Sequence, residues 1–176
     1  RVRYIKTNNV IIDAILNSKY KETLDKGIVF IFQINDLSGI KMCDEDIVVI
    51  LSNLLNNAMK HNESGTHIKI GMYRKNGYIY ILVADSGRRI PGELAEHLFE
   101  PFTKGDVSRK SGSGSGLGLS IAKKIIEMHG FQMDFIQQLD DKKIPTDCRL
   151  YKRICHPDRG RQLRLIPHGM TKSAGQ

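Results

Sequence analysis

"SGSGSGLGLSIAKK" occupies residues 111–124, where glycines alternate with other residues directly before an apolar, lysine-bearing run. A dinucleotide-binding G-x-G-x-x-G motif would need a third glycine where the chain has Leu117 or Leu119. A P-loop would need Gly-Lys followed by Ser or Thr, which is also missing. Two interpretations stay open: a Gly/Ser linker, or a flexible loop leading into a helix N-terminus, where free N–H groups and the helix dipole favour a phosphate.

Hydrophobic spacing predicts helices over residues 10–26, 45–61 and 116–130. The first helix should stop at Gly27 and the third at Gly130. In the first helix the residues at helical spacing are Val10, Ile11, Ala14, Ile15 and Leu24. In the second helix one apolar face is formed by Ile47, Ile50, Leu51, Leu54, Leu55 and Ala58. In the third helix the residues expected to face inward are Leu117, Ile121, Ile125 and Met128. Asp44, immediately before the second helix, is the expected N-cap.

Strand-like runs separate these helices. Residues 28–34 are β-branched and aromatic, and 131–139 are a further candidate strand. Residues 67–75 and 77–85 flank Asn76-Gly77, a strong hairpin signal, and therefore predict an antiparallel pair.

The order of elements predicts an α+β fold, a two-layer sandwich in which about three helices cover one face of a mixed, mainly antiparallel sheet. Residues 86–115 break the periodicity, apart from a short helix expected over 93–99, and such a long irregular segment is typical of a functional lid. We therefore predict one domain over 1–137, with a mobile lid over 86–115, and an atypical basic tail over 138–176.

The net charge of +8 is concentrated near the C-terminus. Residues 142–176 hold nine Lys or Arg against two Asp, while the rest of the chain is nearly neutral. The tail has no aromatic interleaving for base stacking, so we expect no specific nucleic-acid binding.

The three cysteines form no C-x-x-C pattern and fit no common zinc site, which favours a reducing compartment. No apolar run approaches the roughly 20 residues of a membrane span, and the missing initiator Met suggests a fragment of a longer protein.

Polar residues at two places suggest ligand contacts. Asn53 and Asn57 lie four residues apart and so project from one side of the second helix, with Lys60 one turn on. Amide oxygens suit Mg²⁺ and lysine suits phosphate, although a plain polar helix edge is the alternative. Asp85 ends a strand just before Gly87. Its carboxylate could accept a hydrogen bond from the exocyclic amine of a ligand, or Asp85 could be an ordinary turn residue.

Four segments together resemble the ATP-binding catalytic domain of sensor histidine kinases, in the superfamily that also contains gyrase, Hsp90 and MutL. NLLNNAMKH (53–61) is similar to the N box, VADSGRRIP (83–91) to the G1 box, HLFEPFTKGD (97–106) to the F box and GSGSGLGLSIAKKIIEMHG (112–130) to the G2 box. Their order and approximate spacing match, and the resemblance covers about residues 10–137.

The resemblance implies a Bergerat-type fold that binds ATP and Mg²⁺. Asn57 would be the Mg²⁺ ligand, with Asn53 beside it and Lys60 near the phosphates, and these three form the implied catalytic set. The implied nucleotide contacts are Asn57, Lys60, His61, Asp85, Gly87, Ile90, Phe99, Phe102, Lys104, Gly114, Ser115, Gly116, Leu117, Gly118 and Leu119. Within this set Asp85 would read the adenine amine, Phe99 and Phe102 would anchor the lid, and the glycines would wrap the triphosphate. Gly112 lies just outside the motif and is interpreted as slack in the lid.

The resemblance also implies an activity: transfer of the ATP γ-phosphoryl group to a histidine on an upstream dimerisation domain that this chain lacks. Hydrolytic relatives usually carry Glu where this chain has Asn53, and an amide cannot act as a base, which favours transfer over hydrolysis. Arg89 replaces a usual G1 glycine, so an inactive nucleotide- or partner-binding module of the same fold is the alternative, together with an anti-sigma-type serine kinase.

The partners implied by the resemblance are the phosphoacceptor histidine domain and a downstream response regulator of a two-component system. The chain would be the cytoplasmic portion of a membrane-anchored bacterial sensor and monomeric as a fragment. The family usually closes with a glycine-containing hairpin and an apolar strand, which residues 138–176 do not show.

Overall fold

The computed structural model describes residues 4–35, 37, 40, 42–75, 78–87, 90–103, 115–137 and 150–157, with only the backbone described for 73–75, 78–79, 136–137 and 150–157. The elements are α1 (Val10–Lys26), β1 (Val29–Ile34), α2 (Asp44–Lys60), β2 (His67–Lys75), β3 (Tyr78–Asp85), α3 (Gly92–Glu96), α4 (Gly118–Met128), β4 (Gln132–Gln137) and β5 (Leu150–Pro157). The predicted helices and strands are confirmed within a few residues at each end. The Asn76-Gly77 turn, Arg89, Lys104, Gly112 and Gly114 lie outside the described residues.

The strands form one sheet in the order β1-β2-β3-β5-β4. β1 and β2 are parallel, with Val29 opposite His67, and α2 lies on the crossover between them. The pairs β2–β3, β3–β5 and β4–β5 are antiparallel. The α+β fold with a mixed, mainly antiparallel sheet is therefore confirmed.

β5 corrects one expectation. The sequence predicts a tail over 138–176, yet residues 150–157 form a strand between β3 and β4, in which Ile154 pairs with Ile81 on one side and Met133 on the other. The sheet therefore includes chain beyond residue 137.

The core lies between the sheet and the helices α1, α2 and α4. All six apolar residues predicted to share one face of α2 are buried, so this prediction is confirmed: Ile47, Ile50, Leu51, Leu54, Leu55 and Ala58. They pack with apolar side chains of the sheet such as Ile68, Ile70 and Val83.

The predicted inward face of α4 is partly wrong. Ile121 is 43% exposed and Met128 76% exposed, whereas Leu119, Ala122 and Ile126 are buried. Each residue turns the helix by about 100°, so the buried stripe lies one position away from the predicted one. On α1 the buried apolar residues are Ile12 and Leu16, while Val10 and Leu24 are exposed.

Local capping determines where the helices begin and end. The Asn9 side chain accepts hydrogen bonds from the backbone N–H groups of Ile11 and Ile12 and so caps α1. Gly27 (φ +66°) and Gly130 (φ +74°) end α1 and α4 in the left-handed conformation, as the sequence predicts. At the start of α2, Cys43 occupies the N-cap position, and Asp44 is instead the first residue of the helix.

Among the described residues, no helix is both long enough and apolar enough to cross a bilayer.

Candidate functional site

The predicted catalytic residues follow one another along the second half of α2. Asn53 and Asn57 are half-buried and Lys60 is exposed in the last turn. His61 ends the helix, is exposed, and donates its backbone N–H to the Asn57 carbonyl at 3.3 Å. With a rise of 1.5 Å per residue, the distance along the helix from Asn53 to Lys60 is about 10 Å.

The first residue of α4 lies against Asn53. A Cβ atom on Gly118 would be 2.7 Å from Asn53 Oδ1 and 3.3 Å from its Cγ. Because real Cβ atoms do not approach that closely, a glycine is needed for this contact between α4 and α2. The G2 segment and the N box therefore meet at this point, as the resemblance implies.

Gly116 makes a second close approach, to the end of the F segment. Its φ is +74°, and an added Cβ would be 2.8 Å from the Phe102 carbonyl carbon and from Thr103 O. The Phe102 N–H donates to the Gly116 carbonyl at 3.0 Å, and Phe102 itself has φ +65°. The chain on the two sides of 104–114 is therefore joined by backbone contact.

The start of α4 is suited to an anion. Leu117 occupies its N-cap position without a side-chain cap, and the first turn contains no acidic residue. Ser115 Oγ accepts the Leu117 N–H at 3.3 Å. The first N–H groups of a helix have no intrahelical partner and lie at the positive end of its dipole. Leu119 was predicted to contact nucleotide, but its side chain is buried in the core.

Asp85 lies at the end of β3 and is only 8% exposed. Its Oδ1 accepts the Gly87 N–H at 3.0 Å. Ser86 fixes the turn to the start of β2, since its N–H donates to the His67 carbonyl at 3.0 Å and its Oγ accepts the His67 N–H at 2.9 Å. A carboxylate is thus held in an apolar setting by backbone bonds, which suits recognition of a ligand N–H group.

Sequence reasoning missed Asn62, which lies beside this turn. Its Nδ2 donates to the Ala58 carbonyl at 2.5 Å, and its Oδ1 lies where a Cβ of Gly87 would be. Gly87 therefore packs directly on this amide and on Asp85, and no side chain would fit between them. A possible signal was the position of an asparagine just past a helix end, where polar side chains often satisfy the last carbonyl groups.

The two predicted lid anchors differ in their surroundings. Phe99 is half-buried, packs against the core, and has Lys123 Nζ 4.8 Å from its ring centroid. Phe102 is 70% exposed, so its contribution here is the backbone bond to Gly116. Ile90 is half-buried, and Lys104 and Gly114 lie outside the described residues.

A polar cluster links the opposite ends of α2 and α4. His129 Nε2 donates to Asp46 Oδ2 at 2.6 Å, and this bond lowers the pKa of Asp46 below its usual value. The Cys43 thiol is hydrogen-bonded to Asp46, which raises the pKa of Cys43. Because Gly118 contacts Asn53 and His129 contacts Asp46, the two helices run antiparallel.

The residues fit a nucleotide with a weakly held metal. Among the described residues, no group of three or more His, Cys, Asp or Glu side chains is arranged to hold a metal ion. The polar groups are instead amides, a lysine and free helix N–H groups, a set that suits Mg²⁺ bound mainly by phosphate oxygens and water. The buried, unpartnered Oδ1 of Asn62 and the close backbone approach at Gly87 fit the base end of such a ligand.

Comparison with known proteins supports this interpretation. The chain is 40% identical over 80 residues to sensor histidine kinase YvrG of Bacillus subtilis, covering 46% of this chain and 14% of the relative. It is 30% identical over 133 residues to sensor histidine kinase WalK of the same organism, covering 73% of this chain and 21% of the relative. The chain thus spans about a fifth or less of the length of these two relatives.

Solved structures show the same fold. The mycobacterial sensor histidine kinase MprB matches with a TM-score of 0.66 at 25% identity, over 86% of this chain and 95% of that one. The catalytic domain of histidine kinase ThkA matches with a TM-score of 0.67 at 24% identity, over 87% and 94%. The family model for "Histidine kinase-, DNA gyrase B-, and HSP90-like ATPase" matches residues 43–166, which is most of the chain. The chain therefore belongs to the family of histidine kinase-, DNA gyrase B- and HSP90-like ATPases.

Proposed function

We propose that this chain is the ATP-binding catalytic domain of a sensor histidine kinase, which binds ATP with Mg²⁺ and transfers the γ-phosphoryl group to a histidine on a separate domain. The observation that carries the proposal is the placement of two ligand-suited sites around α2. The Asp85–Gly87 turn packs on Asn62, just past the end of the helix, and the start of α4 packs on Asn53. The sensor histidine kinases among the relatives support the same activity.

Asp85 is the group that recognises the base. Its bond from the Gly87 N–H and its low exposure hold the carboxylate in a fixed orientation at the end of β3. A fixed carboxylate accepts a hydrogen bond from an amino group of the base. Because a buried polar group is left unpaired by a ligand without such a donor, the site discriminates strongly against those ligands.

The start of α4 and the lysine of α2 bind the phosphates. The first-turn N–H groups of α4, which have no intrahelical partner, favour the negative charge of a triphosphate. Gly116 and Gly118 let this segment pack closely on the Phe102–Thr103 backbone and on Asn53. Lys60, exposed one turn after Asn57, adds a point charge that neutralises a phosphoryl oxygen.

Asn57 is the proposed protein ligand for Mg²⁺. When bound, the ion would neutralise negative charge on the phosphoryl groups. The amide of Asn57 is a hard, neutral oxygen donor of the kind that Mg²⁺ accepts, and it is half-buried on α2.

Asn53 favours phosphoryl transfer over hydrolysis. Its Oδ1 points at Gly118, the first residue of α4, so it lies where the phosphate-binding segment meets α2. An amide orients groups through hydrogen bonds but cannot take a proton from water at neutral pH. The chemistry then depends on positioning the phosphoryl group in line with an incoming histidine nitrogen.

The proposed partners are a phosphoacceptor histidine domain and a response regulator, and the proposed setting is the cytoplasmic part of a membrane-anchored sensor. The matched relatives are named sensor histidine kinases, which supports the proposed partners.

The decisive experiment combines binding with phosphotransfer. Calorimetric titration of the chain with ATP should give Mg²⁺-dependent binding that Asp85→Asn weakens by about tenfold or more, the cost of one charge-assisted hydrogen bond. No binding at millimolar ATP would refute the proposal.

Phosphotransfer needs a separate acceptor-helix fragment of a sensor kinase and ATP labelled at the γ-phosphate. The expected product is acid-labile phosphohistidine, and Asn57→Asp should abolish it. An acid-stable phosphoserine product would favour the serine kinase, and ATP binding without transfer would favour the inactive module.

A further inference from the structure

Asn62 lies two residues past the end of α2, and the proposed function assigns it no contact with the nucleotide. Its Nδ2 donates to the Ala58 carbonyl at 2.5 Å, one of the last helix carbonyls, which have no intrahelical partner. This bond fixes the amide, because the nitrogen must face the helix. The side-chain oxygen therefore points away from α2, towards the turn that follows β3.

That oxygen is an acceptor without a donor. Among the described residues, Asn62 Oδ1 is the buried side-chain polar atom that has no hydrogen-bond partner. Leaving such an atom unpaired is unfavourable, so a buried acceptor without a donor calls for an explanation.

A second acceptor lies on the same side of the turn. Asn62 Oδ1 overlaps the position that a Cβ of Gly87 would take, and Asp85 Oδ1 would be 2.8 Å from that position. The described donor between them is the Gly87 N–H, which Asp85 already accepts. Of these two neighbouring oxygens, Asp85 Oδ1 has this donor, and Asn62 Oδ1 has none among the described residues.

We propose that Asn62 and Asp85 form a pair of acceptors for the exocyclic amino group of a 6-aminopurine nucleotide, which makes Asn62 a specificity-determining residue. The inference rests on the proposed function. An amino group carries two N–H bonds, one for each oxygen. A 6-oxo purine presents lone pairs to two acceptors, and an unsubstituted purine leaves both unpaired, so both should be rejected. Gly87 has no Cβ, so only its backbone lies over the oxygen.

The test compares nucleotides that differ only at position 6 of the purine. The intact chain and Asn62→Ala are titrated by calorimetry with the Mg²⁺ complexes of ATP, GTP and purine riboside triphosphate, which lacks the amino group. The variant should lose about tenfold in ATP affinity, the equivalent of one hydrogen bond, and less than about twofold for purine riboside triphosphate.

The comparison within one variant separates recognition from structure. Asn62→Ala also removes the bond to Ala58, but a weakened α2 lowers the affinity for all nucleotides alike. If the alanine variant does not fold, Asn62→Leu, which is similar in volume and has no acceptor, gives the same comparison. Equal losses for ATP and purine riboside triphosphate, or no loss for ATP, overturn the inference but leave the proposed function intact. If the intact chain binds none of the three nucleotides, the proposed function itself fails.

Discussion

Replacing Gly116 by alanine should destabilise the domain through two separable effects. The first is backbone strain, because Gly116 has φ +74°, and a non-glycine residue in the left-handed region costs about 1–2 kcal/mol. The second is a collision of the new Cβ with backbone at 2.8 Å, at the Phe102 carbonyl carbon and Thr103 O. Overpacking of this kind costs about 1–3 kcal/mol, since backbone atoms cannot rotate away as a side chain can. The expected loss of unfolding free energy is therefore about 2–5 kcal/mol.

Gly65→Ala is the matched control. Gly65 has φ +84°, yet an added Cβ would meet nothing within 4 Å, so this variant carries the strain without the collision. Urea unfolding of both variants should show Gly116→Ala less stable than Gly65→Ala by about 1–3 kcal/mol. Calorimetry should show weaker ATP binding for Gly116→Ala alone, because its strain lies at the start of the phosphate segment. Equal unfolding free energies together with equal ATP affinities would refute the argument that backbone contact at Phe102 demands glycine.

Three further outcomes are expected. Gly118→Ala should lower the unfolding free energy by about 1 kcal/mol, because the new Cβ meets the Asn53 amide. Adding Asn53→Ala to the same chain should restore that stability. Strictly additive changes in unfolding free energy in the double-mutant cycle would contradict this expectation. The hydrogen bond from His129 lowers the pKa of Asp46. This bond should therefore stabilise the fold fully above the usual pKa of 3.8 and stop doing so as the pH falls through the lowered pKa. The difference in Tm between the wild type and Asp46→Asn should shrink over that acid range. The same carboxylate raises the pKa of Cys43, so Asp46→Asn should speed alkylation of this exposed thiol by iodoacetamide at neutral pH, and an unchanged rate would count against the bond between thiol and carboxylate.

The sequence predicted the elements better than the faces they bury. The apolar stripe of α2 is wide and regular, so its six inward residues could be read directly from spacing. α4 has apolar residues on more than one side, and the choice between Ile121 and Ala122 depends on how closely α2 approaches. A small residue such as Ala122 fits where two helices pack closely, and this proximity is a property of the tertiary structure.

β5 could not be predicted because its sequence has the character of a surface segment. LYKRICHP contains three basic or imidazole side chains and ends in proline, which is unusual for a strand that lies between two others. Its place in the sheet is set by backbone hydrogen bonds to β3 and β4, and such bonds leave little signal in side-chain chemistry. Pro157 lies at the end of the strand, where a missing N–H group interrupts the ladder least.

The candidate site shows the same division between local and long-range information. Asn57, Asp85 and Gly118 could be proposed from motifs, because each motif keeps its chemistry within a short stretch of chain. Asn62 could not be proposed in this way, because only its proximity to Gly87, 25 residues further along the chain, connects its oxygen with the site. A buried acceptor without a donor is unfavourable in isolation, and it becomes intelligible when a ligand N–H is the missing partner. Residues 53–62, from the second half of α2 to just past its end, would therefore contact both ends of the nucleotide. Asn53 and Asn57 would lie at the phosphates and Asn62 at the base.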